Sequence, residues 1–282
     1  MNSLTSPLPR ALSWATSHSA SLIGLTLVLL ALLAPAARGQ DMTQFLDLKS
    51  DEFTKSELTR ADIEGLIKTK RQGEHIDLSG RRLNKLDLSG LDLTGANLQS
   101  ARINGINLKD ARLDGAILDQ AWGLDADLSG ASLKRASLFS TQLMGAKLDR
   151  ADFSAARVAA DFSRASLKGA RFDDADLSAD MKNQSMGLMR GVFRSSNLEG
   201  ASFRNANLAR VVLEYARLRG ADLAGANLAG SEMGGADLTG AIVKGADFSR
   251  ADVNSARLLE LKGKSEAKAL DTAVNLDRAF TD

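Results

Sequence analysis

Leu86-Asp87-Leu88-Ser89-Gly90, Leu91-Asp92-Leu93-Thr94-Gly95 and Ala96-Asn97-Leu98-Gln99-Ser100 are three consecutive copies of one five-residue unit. The unit recurs from about Asp77 to Leu258, and late copies such as Ala221-Asp222-Leu223-Ala224-Gly225 read almost the same. Its centre is Leu, or else Phe, Ile, Val or Met, and the residue two before the centre is usually Ala. A fixed internal period dictates architecture and is read before any helix or strand. It also bounds function. A chain built from one small unit offers long faces for binding and little room for a unique catalytic pocket.

A period of five fits neither regular element. On a helix the centres would advance by about 140° per step and smear around every side. On a long strand Leu88 and Leu93 would face opposite ways. The pattern works if the chain turns a corner at every quintet, so that each central residue points inward from its own short side. Alternation puts the residue two before it inward as well, and only a small one such as Ala96, Ala126 or Ala221 fits there. The other three positions face solvent, which accounts for their Asp, Asn, Ser, Arg and Lys. The Gly that often closes the unit (Gly80, Gly90, Gly95, Gly105, Gly130) suits a turn, because glycine accepts positive φ without steric cost.

The pattern resembles the pentapeptide-repeat family, whose unit is Ala-(Asp/Asn)-Leu-X-X, and the resemblance covers roughly two thirds of the chain. It implies an all-β fold, a right-handed quadrilateral β-helix with four quintets per coil. At ~4.8 Å per coil, about nine coils would make a rod about 40 Å long. Each coil would depend on its neighbours.

The two ends read differently. Arg10, an apolar run from about Leu22 to Leu33, and Ala34-Pro35-Ala36-Ala37-Arg38-Gly39 follow the order of a secretory signal. Cleavage after Gly39 would leave Gln40 as the new N-terminus, and cleavage after Ala36 is the alternative. The apolar core is short for a membrane span, which needs about 20 apolar residues. An uncleaved anchor with the repeats outside the cytoplasm remains the other reading. Either way the expectation is a periplasmic or secreted repeat domain that does not itself insert in a membrane. The absence of cysteine excludes disulfides, thiol chemistry and a lipid-anchored leader.

Residues 40–75 read as a linker and N-terminal helical cap. Thr59-Arg60-Ala61-Asp62 has the form of a capping box, and Ile63, Leu66 and Ile67 follow at helical spacing. Residues 76–260 form the repeat domain. Residues 261–282 read as a C-terminal helical cap, with Ala267, Leu270, Ala273, Val274 and Phe280 packing on the last coil. A homodimer contact through this segment is the alternative, as in some members of the family.

Unique function can hide only where the repeat breaks. At 121–125 the centre is Gly123, so Leu124 or Trp122 could turn inward to fill the gap. If Trp122 stays outside, it lies one coil above Arg102 and two above Arg82. Such a column of two guanidiniums and an indole could bind a ligand or partner. At 158–162 one residue is missing between Val158 and Phe162. At 178–187 the quintets lapse into a bulge or loop that either tucks in or presents Met181 and Met186. Arg82, Arg102, Trp122, Met181 and Met186 are therefore the candidate binding residues. A filled packing defect and a neutral insertion are the bland alternatives.

No catalytic group can be assembled. Of the two histidines, His18 lies in the leader and His75 at the entry to the first coil, neither among candidate ligands. The repeated aspartates sit in the outward slot, mixed with basic residues (Asp92 under Arg112, Asp127 under Lys147), and no phosphate-cradling loop precedes a helix. The expectation is a non-enzyme without cofactor or metal. Family members in the cytosol mimic duplex DNA and bind type II topoisomerases, which the resemblance implies as one function here. A net charge of +1, from 36 basic against 35 acidic residues, argues against such a mimic. Direct nucleic-acid binding is disfavoured too, with 5% aromatic residues and no basic stripe. That leaves an exported scaffold for an unidentified protein partner, with a ligand- or carbohydrate-binding rod as a further alternative.

Overall fold

The computed structural model describes residues 47–180 and 189–282. The leader with its two cleavage readings, and the loop carrying Met181 and Met186, lie outside the described residues. No helix among the described residues is long and apolar enough to cross a membrane.

The quintets stack as a four-sided parallel β-helix. Asp77, Arg82, Asp87 and Asp92 each bridge the residue twenty positions on, namely Asn97, Arg102, Asn107 and Arg112. Each side is too short for a ladder and holds one bridge, made of bonds such as Leu88 N–H to Asn107 O (2.7 Å) and Asn107 N–H to Leu86 O (2.8 Å). Corners close by a bond across four residues, as from Ala96 N–H to Leu93 O (2.9 Å). The third residue of that turn has positive φ, the backbone of a type II turn. Gly95 takes φ 70° there, but Lys85, Ser100, Gln120 and Arg150 are forced into the same conformation. An isolated L-residue gives up about 1 kcal/mol or more in that region. The neighbouring coils hold it there. Central residues and the alanines two before them are fully buried and form one continuous core from Ile63 to Ala273.

The outward slot before each central residue does more than face water. Its side-chain Oδ1 accepts the N–H two residues on, as in Asp77 with Ser79, Asp87 with Ser89 and Asn107 with Lys109. Aspartate and asparagine are interchangeable for this bond, which explains why both occur there. Where the slot holds serine, the bond comes from elsewhere. Asp119, one coil earlier, accepts from both Ser137 Oγ (2.6 Å) and Phe139 N–H (2.9 Å). Asp114 with Ser132 and Lys134, Asp149 with Ser166 and Lys168, and Asp173 with Ser202 and Arg204 repeat the arrangement. Asp119→Ala should cost about 1–2 kcal/mol by orphaning Phe139 N–H. Ser137→Asp restores a cap within its own side, so it should stabilise the Asp119→Ala chain. In the wild-type chain it should destabilise, because it sets two carboxylates together. Urea midpoints of the four proteins test this reversal of sign.

The same bonds predict acid sensitivity. Hydrogen bonds from Ser79, Ser89 and Ser249 hold Asp77, Asp87 and Asp247 below the usual carboxylate range. Burial pushes Asp152 and Asp237 up, but the hydroxyl and N–H of Ser154 and Thr239 outweigh it and leave both lowered. Folded values below the unfolded value of about 3.9 contribute stability that is present above it and lost as pH falls through the folded values. The melting temperature should hold between pH 7 and pH 5 and fall steeply below about pH 4. A melt insensitive to pH in that range would mean the capping bonds are absent in solution.

Two breaks disturb the stack without ending it. Strand β1 (Ser137–Gln142) pairs with β2 (Arg157–Asp161) in parallel, and the register shifts between Phe139 and Gln142. One residue fewer on β2 shortens the repeat to nineteen for that coil, as in Gln142↔Asp161 and Lys147↔Ser166. The second break lengthens it to thirty-one, as in Asp161↔Val192. Its neck is closed by Asp180 N–H to Met189 O (3.0 Å) and by Gly191 N–H to Leu177 O (3.0 Å), so the coil resumes in register. Around these breaks Phe153, Phe172 and Phe203 stack on one side, with centroids 4.7 and 4.9 Å apart. Phe162 and Phe193 stack opposite them (5.0 Å) and meet them edge to face across the interior.

Before the repeats, α1 (Asp51–Thr54) is a single turn and α2 (Arg60–Thr69) carries the capping box between Thr59 and Asp62. Ile63 of α2 is buried in the core, while Leu58 and Ile67 pack against it partly buried. The C-terminal segment departs from the expected α-helix. The chain makes one more coil with six residues per side. Lys262, Lys268, Val274 and Phe280 bridge Ile242, Asp247, Asp252 and Arg257, the last pair as β4 (Phe280–Thr281) on β3 (Arg257–Leu258). Its corners are 3₁₀ turns at Lys264–Glu266, Leu270–Thr272 and Leu276–Arg278, each entered through a left-handed residue: Gly263, Ala269 and Asn275. Ala267, Leu270 and Ala273 suit a helix and a six-residue coil equally. The coil prevails because it pairs the N–H groups of Lys262, Lys268, Val274 and Phe280 with open carbonyls of the coil before.

Candidate recognition site on the outer face

Arg82, Arg102 and Trp122 form the expected column, bridged in succession at twenty-residue spacing. Trp122 stays outside. The room left by Gly123 is taken by Leu143 and Ile103 from the adjacent coils, where an added Cβ would lie 2.9 and 3.2 Å from them. Neither Leu124 nor Trp122 is needed as filler.

The column is not bare. The segment before the repeats crosses it. Glu52 binds the Arg102 guanidinium (2.8 Å), and Glu57 lies 3.4 and 3.5 Å from Arg81 and Arg82. Phe53 is buried and meets Trp122 edge to face at 5.7 Å. The Arg102 guanidinium carbon sits 5.4 Å from the Phe53 ring and 5.8 Å from the indole. Bonds to the segment's backbone fix the crossing. Asn84 Nδ2 donates to Glu52 O and Lys55 O (2.9 Å each), and Ser56 bridges Leu83 in the antiparallel sense. Asn84 Oδ1 in turn accepts from Asn104 N–H and Nδ2, and Asn104 Oδ1 from Leu124 N–H (3.0 Å each). A buried asparagine ladder thus ties the segment to the coils that carry Arg102 and Trp122. Energetically the anchor is Phe53, whose burial contributes about 1.5–3 kcal/mol. The half-exposed Glu52–Arg102 pair adds at most about 1 kcal/mol.

Glu52, Phe53, Glu57 and Asn84 are the residues that sequence reasoning missed. The asparagine pair left a signal, since Asn84 and Asn104 recur at twenty in a slot usually held by Ser, Thr, Lys or Asp. His75 is exposed and lies over Gly95 at the first corner. No group of His, Asp or Glu among the described residues is arranged to hold a metal ion.

A family model described as pentapeptide repeats matches eight copies at residues 74–110, 125–157, 158–179, 192–223 and 216–254. These segments span more than half of the chain, which therefore belongs to the pentapeptide-repeat family. The family's right-handed quadrilateral β-helix is the architecture the cross-coil bridges describe. Among solved structures, the chain is similar to HetL, a pentapeptide repeat protein involved in heterocyst differentiation regulation in the cyanobacterium Nostoc. The match has 28% identity over 73% of this chain and 92% of that one, with a TM-score of 0.32. Trypsin-treated QnrB1, a plasmid-mediated fluoroquinolone resistance protein, matches at 21% identity over 71% and 92%, with a TM-score of 0.48. A pentapeptide repeat protein of the Arabidopsis thaliana thylakoid lumen matches at 28% over 36% and 63%, with a TM-score of 0.31. No curated protein matches the chain.

Proposed function

We propose that this chain is a non-enzymatic, exported scaffold whose flat β-helix faces bind another protein. The observation that carries this reading is the pairing of opposite charges between neighbouring coils. Arg112 pairs with Asp92 (3.7 Å), Arg157 with Asp176 (3.3 Å), Arg194 with Glu214 (2.7 Å) and Arg219 with Asp237 (3.4 Å). A surface that mimics duplex DNA has to be negative along its length. Here basic and acidic residues are mixed on the faces, with 36 basic against 35 acidic in the chain, which disfavours the topoisomerase reading and suits a protein partner. The leader's order of charge, apolar run and small residues supports cleavage near Gly39 and export to the periplasm or medium. Retention as an anchor would leave the repeats on the same side. A ligand- or carbohydrate-binding use of the β-helix is the weaker alternative. Proximity labelling in intact cells tests the scaffold. A reproducible envelope protein neighbour is expected, and labelling no different from a secreted control would overturn it.

A second copy of the chain is a further partner, through the C-terminal coil. In that coil Val274 and Phe280 are 45% and 55% exposed, and a cavity of about 480 Å³ opens beside Leu258, Ala267, Leu270 and Leu276. Light scattering should give a dimer mass that Phe280→Asp halves. A monomer at every concentration would remove this contact.

A further inference from the structure

We propose that the Arg102–Trp122 column is a recognition site for a protein segment carrying a carboxylate immediately before an aromatic ring, and that the chain's own Glu52-Phe53 keeps it filled until such a segment replaces it. The inference rests on the scaffold reading and names the place and chemistry of the contact.

Four observations carry it. The segment 51–57 meets the β-helix in two ways, through bonds between its backbone and Asn84 and Arg82 and through the outward side chains of Arg102 and Trp122. Its contacts are those of side-chain recognition, with a carboxylate on a guanidinium and an aromatic edge on an indole face. The hold is light. Helix α1 is one turn with no side-chain cap, and the Glu52 side chain remains 55% exposed while touching Arg102. Further outward apolar residues lie nearby along the chain, with Ile117 exposed on the preceding side and Leu124 and Phe139 half-buried, in slots that elsewhere mostly hold polar or small residues. An incoming segment that reproduces Glu52 and Phe53 remakes their contacts with Arg102 and Trp122, and one that also reaches these residues adds apolar contact. In the closed protein, its apparent affinity is reduced by the fraction of molecules whose strap is open.

The test uses the full chain and a fluorescein-labelled synthetic peptide of residues 48–58, followed by anisotropy. Phe53→Ala removes the ring from Trp122 while the bonds with Asn84 and Arg82 keep the segment's backbone in place. The peptide should bind this variant at least ~10-fold more tightly than the wild type. Adding Arg102→Ala or Trp122→Ala to the same chain should abolish that gain. Equal, weak binding to wild type and Phe53→Ala, with both melting cooperatively, would overturn the proposal, as would a gain indifferent to Arg102 and Trp122. Should Phe53→Ala fail to fold, Glu52→Gln serves in its place, with the same ordering expected. Proximity labelling separates this claim from the scaffold itself. A partner captured equally by wild type and Trp122→Ala would leave the scaffold standing and refute the site, whereas capture lost in Trp122→Ala supports both.

Discussion

Leu223→Asp is expected to abolish cooperative folding of the β-helix. Leu223 is fully buried, and the equivalent positions one coil before and after it are Phe203 and Val243, also fully buried. A carboxylate there would have apolar side chains above and below and no partner on either. Its ionised form is excluded and its neutral form loses its hydrogen bonds to water, a penalty of several kcal/mol. A solenoid amplifies the damage, because each coil is stabilised chiefly by the two beside it. Loss of the 202–223 coil leaves two fragments with new open ends. Asp222→Asn, one residue away, is the control. Asparagine keeps the bond that Asp222 Oδ1 accepts from Ala224 N–H (3.0 Å), and only the exposed pairing with Arg204 is lost. It should cost under about 1 kcal/mol. A Leu223→Asp protein with a wild-type melt, or a severe loss in Asp222→Asn, would mean the inward and outward positions are misassigned.

Phe172→Ala is the second large effect, expected to cost about 3–5 kcal/mol. Phe172 lies between Phe153 and Phe203 in nearly parallel stacks, with interplanar angles of 1° and 4°. It also presents its ring to the edges of Phe162 and Phe193. Removing it empties the middle of an aromatic cluster from which the backbone cannot withdraw, since the bridges Asp152↔Arg171 and Arg171↔Ser202 fix the spacing of the coils. The cluster spans the coils where one residue is deleted and a loop inserted, so the cost is expected to fall on the part of the stack with the least regular hydrogen bonding. Phe172→Leu, which installs the residue used at most other centres, should recover most of the loss. Chemical denaturation reads both. A midpoint for Phe172→Ala within experimental error of the wild type would show that the stacking is not formed.

The quintet made the coils legible because each of its positions has one physical job. The central residue of 86–90 is large and apolar since it alone fills the interior, and the last is left-handed since the corner demands it. The mixed charge of the faces was legible for the same reason, since twenty residues take the chain once around. The C-terminal coil was misread because Ala267, Leu270 and Ala273 satisfy two templates. Gly263 and Asn275, residues suited to left-handed corners six apart from Ala269, were the discriminating signal. The site was half legible. The periodicity placed Trp122 above Arg102, but no period links Glu52 to Arg102 or Phe53 to Trp122. Those contacts join an aperiodic segment to residues fifty and more positions away, and only the fold brings them together.

Whether the β-helix meets its partner outside the cytoplasm is tested most directly by fractionating cells that express the full chain and taking the intact mass of the soluble protein. A mature species beginning at Gln40, in the periplasm or medium, is the expected result. A full-length species in the membrane would mean that the leader anchors the same scaffold. A full-length soluble species in the cytosol would contradict export and return the chain to the topoisomerase-binding reading that its balanced faces disfavour.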